Sequence, residues 1–180
     1  SRYFVANADN GSTELLLEDK DEAWIDVRNT WPYQDKAGWK FINGGKEFLY
    51  TTEKDGWSHV YRYDIEKREE FLVTKGDYDV IRPLSFDEEK GDIYFIASPK
   101  DPTERYLYKT SENNELELVT PKLLEGTHNY QISTKSRYAF HSFSNYYTRP
   151  MQGIVNLPDH EYINKDDDIL SKFNPSLKDS

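Results

Sequence analysis

The sequence contains no cysteine, which rules out a disulfide framework and every thiolate-based zinc or redox centre. It also has no long apolar run. No window approaches the ~18 consecutive apolar residues of a membrane-spanning helix, and the opening stretch SRYFVANADN lacks a basic start followed by an apolar core. Basic residues are in the minority: 23 Lys and Arg face 33 Asp and Glu, for a formal net charge of −10. Binding to nucleic acid or an anionic membrane surface needs a concentrated basic face, so the balance speaks against both partners. Histidine is scarce as well. His59, His128, His141 and His160 show no short ligand spacing such as H-x-x-x-H; only clustering in space could make a metal site of them, and no cofactor is expected.

Aromatic side chains are abundant. The 180 residues include 14 Tyr, 9 Phe and 4 Trp, and 36% of the chain is hydrophobic, enough for the core of one domain or several small modules. An offset of 46 residues aligns the chain with itself. It places HVYRYD (59–64) on RYLYKT (105–110), EFLVT (70–74) on LELVT (116–120), and EFLYTT (47–52) on IYFIAS (93–98) and then AFHSFS (139–144), without a gap. A further short segment precedes each unit: GWKFI, VIRPLSF or NYQIS. Asp9-Asn10-Gly11, Asn43-Gly44-Gly45, Glu89-Lys90-Gly91 and Glu112-Asn113-Asn114 supply the turn residues between the apolar runs.

Short strands recurring on a period of ~40–50 residues are the pattern of β-propeller blades. The expected fold is all-β: a partial β-propeller of about four blades of four-stranded antiparallel sheet over residues 1–163, the first blade beginning at its second strand. A β-sandwich with evenly spaced strands is the alternative, disfavoured because similarity recurs at one fixed offset. A short C-terminal helix is expected where Asp166-Asp167-Asp168 precedes Ile169 to Phe173, in a tail spanning residues 164–180.

The tetrapeptide Gly56-Trp57-Ser58-His59 raises the question of a catalytic serine. A nucleophile elbow, G-x-S-x-G, needs a second glycine beneath its strained turn, and Val60 stands there instead. Adjacent strand residues also point to opposite faces, so His59 is badly placed to activate Ser58, and a structural role is expected. Asp166 to Asp168 lack the alternating oxygen ligands and the glycine of an EF-hand loop, so a solvated helix start is preferred to a calcium site. Asn10-Gly11-Ser12 is both a formal glycosylation acceptor and a tight hairpin turn. Tyr61, Tyr63, Tyr94, Tyr106 and Tyr108 recur at equivalent blade positions, which suits packing better than a ligand-stacking surface. The least repetitive segment is NTWPYQDKAG (29–38). Its Trp-Pro-Tyr cluster makes Trp31 and Tyr33, with the nearby Arg28, the candidates for a substrate-side or domain-contact role.

The ordered segments TTEKDGWSHVYRYDIEKREEFLVTKGDYDV, GDIYFIASPKDPTERYLYKTS and YQISTKSRYAFHSFSN resemble the propeller of the dipeptidyl-peptidase IV group within the prolyl oligopeptidase family, over about residues 13–163. That resemblance implies an eight-bladed propeller above a separate α/β-hydrolase domain that carries the Ser, Asp and His of a serine dipeptidyl peptidase. The chain shows no G-x-S-x-G, and Glu69-Glu70 and Glu88-Glu89 do not match the family's amino-group-binding Glu-Glu context. It is therefore expected to be a propeller fragment, inactive alone, that shapes peptide access to a hydrolase domain beyond it. The resemblance also implies a periplasmic or extracellular bacterial location. Unpaired blade flanks predict self-association of the isolated chain. An independent, non-enzymatic peptide- or glycan-binding module is the alternative, since propellers host many functions; a downstream G-x-S-x-G followed by Asp and His would separate the two.

Overall fold

The computed structural model describes residues 2–20, 39–110 and 115–163. Arg28, Trp31 and Tyr33, the tail with Asp166 to Asp168, and the turn residues Glu112 to Asn114 lie outside the described residues. Thirteen strands account for nearly all regular structure, with one 3-10 turn at Asn43–Gly45. They are β1 (Arg2–Ala6), β2 (Thr13–Glu18), β3 (Trp39–Ile42), β4 (Glu47–Thr52), β5 (His59–Asp64), β6 (Glu69–Leu72), β7 (Val80–Asp87), β8 (Asp92–Ala97), β9 (Tyr106–Thr110), β10 (Glu117–Leu118), β11 (Thr127–Ile132), β12 (Tyr138–Ser144) and β13 (Met151–Asn156). They form four sheets, ordered β1-β2, β3-β4-β5-β6, β7-β8-β9-β10 and β11-β12-β13, with antiparallel pairing in the β1–β2, β3–β6, β8–β10 and β11–β13 ladders. The sheets thus follow the expected blade order, and the first does begin at the strand equivalent to β4. Among the described residues, the middle two sheets have four strands, the first is a hairpin and the last has three, extended by a bridge between Val155 and Tyr162.

The chain divides into two compact units, Ser1–Pro83 and Leu84–Ser180. In the first, the β1–β2 hairpin lies on the β3–β6 sheet. Leu17, Phe48, Tyr50, Tyr61 and Tyr63 form its core, with Tyr3, Leu16 and Trp39 packed around them. The Tyr63 hydroxyl donates to the Leu16 carbonyl at 2.8 Å, so the one polar atom of that ring is satisfied. In the second unit, every residue of β8 is buried. A strand buried on both faces reads as an unbroken apolar run rather than an alternation, which is why IYFIA carries no polar residue. Tight turns keep the strands in register: Asn43, Gly44 and Gly45 all adopt positive φ, as does Gly91.

The 46-residue offset holds for the central strands and fails at the outer one. Thr51 pairs with Val60, and Ala97 with Tyr106, as the offset requires. Leu72 pairs with Tyr61, so Leu118 should face Leu107; it faces Tyr108 instead. A one-residue slip turns a strand's side chains to the opposite face, and the gapless alignment is corrected at this edge. The threonine ending each LVT segment keeps its job nonetheless: Thr74 Oγ1 accepts from the Val60 amide at 2.9 Å, and Thr120 Oγ1 from the Leu107 amide at 2.8 Å. Thr74→Val would keep the shape but leave the fully buried Val60 N–H without that partner, and is expected to cost about 1–3 kcal/mol in urea denaturation. A cost near zero would mean the hydroxyl is dispensable.

Candidate functional site

The Ser58-His59 pair sits where β5 begins, and both residues are buried. Ser58 Oγ donates to the Val80 carbonyl at 3.3 Å, and the Ser58 amide donates to Asp79 Oδ1 at 2.7 Å. His59 turns to the other side, with Nδ1 2.8 Å from Asp55 Oδ2. A histidine and a carboxylate are therefore paired, but not beside the serine, and the serine oxygen faces backbone rather than solvent. The structural role expected of Ser58 is the one observed: it ties the start of β5 to the start of β7.

Around this pair the first unit gathers ionisable groups. The Asp55 carboxyl is pushed up by burial, but hydrogen bonds from His59, Tyr61 and the Trp57 amide outweigh that and hold it below the usual carboxylate range. The Tyr50 hydroxyl donates to Glu70, the Lys54 ammonium pairs with the same carboxylate, and that ammonium lies 4.2 Å from the centre of the Tyr61 ring. Burial, then the neighbouring carboxylates, raise the Tyr50 and Tyr61 hydroxyls far above the ordinary phenol value, so both stay protonated donors. Glu70 of the Glu69-Glu70 pair thus serves an edge-strand anchor. The tyrosines singled out for packing are buried at 61, 63, 94 and 108 and half-buried at 106.

The second unit holds a denser cluster that only the register creates. His128 stands opposite Phe143, and Tyr130 opposite His141, on one face of β11 and β12. The His128 and His141 rings stack 5.1 Å apart at 7°, and His141 meets His160 edge-on at 4.8 Å. Hydrogen bonds fix the proton positions. His128 Nε2–H donates to the Leu124 carbonyl at 2.8 Å, so its Nδ1 accepts from His141 Nε2–H at 2.9 Å, and His141 Nδ1 accepts from the Tyr162 hydroxyl at 2.7 Å. Tyr130 links His160 Nε2 at 2.7 Å to Thr120 Oγ1 at 3.0 Å. Burial, reinforced by the other imidazoles, lowers His128 to about 4 and His141 to about 2; burial lowers His160 to about 4. All three are neutral at pH 7. Three of the four histidines do cluster in space, yet among the described residues no group of three or more His, Asp or Glu is arranged to hold a metal. The cluster's only legible trace in the sequence is that His128 and His141 fall at buried positions of adjacent predicted strands.

Among the described residues, neither cluster places a serine hydroxyl beside an imidazole: Ser58 Oγ donates to the Val80 carbonyl, and the three imidazoles of the second unit bond to one another, to Tyr130 and Tyr162 and to the Leu124 carbonyl. The family described as the dipeptidyl peptidase IV (DPP IV) N-terminal region matches residues 1–150. The chain belongs to that family. Its fold agrees with dipeptidyl peptidase 4 of Porphyromonas gingivalis, at a TM-score of 0.74 and 19% identity, over 95% of this chain and 23% of that one. A putative dipeptidyl aminopeptidase IV from Bacteroides ovatus matches at 0.69 and 14%, over 89% and 24%. Dipeptidyl peptidase 4 of Trichophyton rubrum is 28% identical over 156 residues, 86% of this chain. The chain spans 18% of that relative's length. For a probable dipeptidyl peptidase 4 of Aspergillus flavus the shares are 59% and 14%, at 28% identity. In this DPP IV-type region, among the described residues, no helix is long and apolar enough to cross a membrane.

Proposed function

We propose that the chain is part of the propeller of a DPP IV-like serine exopeptidase, where it shapes and gates peptide access to an α/β-hydrolase domain of the same longer protein. The observation that carries this reading is the family match over residues 1–150, on a chain whose Ser58-His59 pair is committed to structure. In the longer protein, other blades would cover the outward face of the last sheet, where Tyr138, Phe140 and Ile154 are exposed. The same uncovered residues would drive self-association of the chain alone. An exported, periplasmic or extracellular enzyme is consistent with this reading.

Arg28, Trp31 and Tyr33 are assigned to the peptide-entry side of the propeller. The full-length polypeptide should release dipeptides from peptide N-termini, and Arg28→Ala or Trp31→Ala should raise KM roughly threefold or more with kcat little changed, as expected for lost uniform binding. Absence of dipeptidyl peptidase activity would remove the enzyme reading. Unchanged KM in both variants would remove the entry-side assignment alone.

A further inference from the structure

After β13 the chain doubles back as the segment Leu157–Ile163, which brings His160 and Tyr162 over the β11–β12 face. Its backbone is tied mainly to the end of β13: the Asn156 amide donates to the Glu161 carbonyl at 2.9 Å, the His160 amide to the Asn156 carbonyl at 3.0 Å, the Glu161 amide to Asn156 Oδ1 at 2.7 Å and the Ile163 amide to Ile154 at 3.0 Å, while the Leu157 amide donates to Arg137 at 2.9 Å. His160 holds a φ of +59°, a left-handed conformation uncommon outside glycine, so local backbone preference does not keep it there. Its buried ring and Tyr162 supply the side-chain anchors, and both end on the imidazole cluster.

We propose that Leu157–Ile163 is an acid-released strap: the neutral imidazoles of His128, His141 and His160 hold it on the sheet, and protonation of the cluster frees it while β11 to β13 stay paired. The hydrogen-bond chain explains why a proton is not tolerated. His128 accepts at Nδ1 and donates at Nε2; protonated, it would point a second N–H at the His141 N–H it now accepts from. His160 Nδ1 is buried with nothing to meet it beyond its own residue's backbone, too poorly placed to outweigh burial, so an imidazolium there would carry a poorly answered N–H. Among the described residues, no compensating anion enters from the packed elements. β9 contributes Tyr106, whose hydroxyl engages Glu104; the 119–124 loop contributes Thr120 and a carbonyl; β11 and β12 contribute Tyr130 and Phe143; the strap contributes Tyr162, with Asp159 and Glu161 exposed to solvent.

The direction in pH follows. A histidine whose folded pKa lies below the ~6.5 of a solvated imidazole contributes stability above 6.5 and loses it as pH falls towards the folded value. With His160 at about 4 and carried into solvent by the strap, acidification from pH 7 to 4.5 should raise the opening equilibrium on the order of fifty-fold through that imidazole, with a smaller addition from His128, which stays on the sheet. Backbone hydrogen exchange of the full-length polypeptide, corrected for intrinsic rates, should show that loss of protection at the amides of His160, Glu161 and Ile163 while those of β11 and β12 keep theirs. His160→Gln should shrink the acid step at least tenfold, and His128→Gln should shrink it by a smaller factor. Imidazole carbon-proton exchange read by mass spectrometry supplies a second measurement, in which the three histidines should titrate well below 6.5. Unchanged strap protection at pH 4.5, parallel loss across the whole sheet, an acid step retained in both glutamine variants, or midpoints near 6.5 would each overturn the proposal.

Discussion

Replacing Phe48 by alanine should cost the Ser1–Pro83 unit about 3–5 kcal/mol, the range for truncating a fully buried phenylalanine. Phe48 is 0% exposed. Its ring stacks on Trp39 at 4.4 Å and 6°, lies 5.1 Å from Tyr63, and meets Tyr50 at 5.6 Å and Phe41 at 6.0 Å. These rings come from β3, β4 and β5, so the cavity would open where three strands share one face, and stiff cross-strand neighbours would not collapse into it. Phe41 is the internal comparison. It stands directly opposite Phe48 in the ladder but is 50% exposed, so Phe41→Ala should cost only about 1 kcal/mol. Denaturation followed by near-ultraviolet circular dichroism would register both the stability and the loss of ring packing. Equal costs for the two alanines would show that the stacked row is not the unit's core.

The second large effect belongs to Gly126. Its φ of +146° is one that L side chains rarely adopt, and an added Cβ would lie 2.7 Å from the Ser144 carbonyl oxygen and 2.9 Å from the Phe143 ring. The Ser144 oxygen is backbone and cannot swing aside. Gly126 also accepts the Arg105 amide at 3.1 Å beside the parallel bridge between Arg105 and Thr127, so it fixes how β9 and β11 start together. Gly126→Ala is expected to destabilise the Leu84–Ser180 unit by about 3 kcal/mol, through strain and overpacking together. Gly11→Ala serves as control: its φ is +72°, but nothing lies within 4 Å of the added carbon, so strain alone should cost roughly 1 kcal/mol. If the two substitutions proved equivalent in thermal denaturation, close packing at Gly126 would not be the cause.

Both effects lie in elements whose existence could be read from the residues. HVYRYD, EFLYTT and IYFIAS are rich in aromatic and β-branched residues and lie between turn signals, and each became a central strand at its predicted place. The edge was harder to read. LELVT shares its last three residues with EFLVT, yet its ladder pairs one residue away from the offset, a difference that the pentapeptide itself does not announce. The candidate site was legible only in what it excluded. Val60 in place of a glycine already denied Ser58 an elbow, but that its hydroxyl would end on the Val80 carbonyl depends on β7 arriving beside β5.

The histidines mark the limit most sharply. His128, His141 and His160 have no diagnostic spacing, because the distance between their rings is set by a cross-strand register and by a segment that doubles back over the sheet. Composition and the 46-residue period were enough to determine an all-β propeller region, since those features reflect local strand propensity and repetition, and the ordered blade segments carried the resemblance to the DPP IV group that the family match bears out. Only the tertiary structure decided which polar groups are buried together, which are committed to the backbone, and which imidazoles share hydrogen bonds. Those outcomes depend on long-range approach and desolvation, which no single segment encodes.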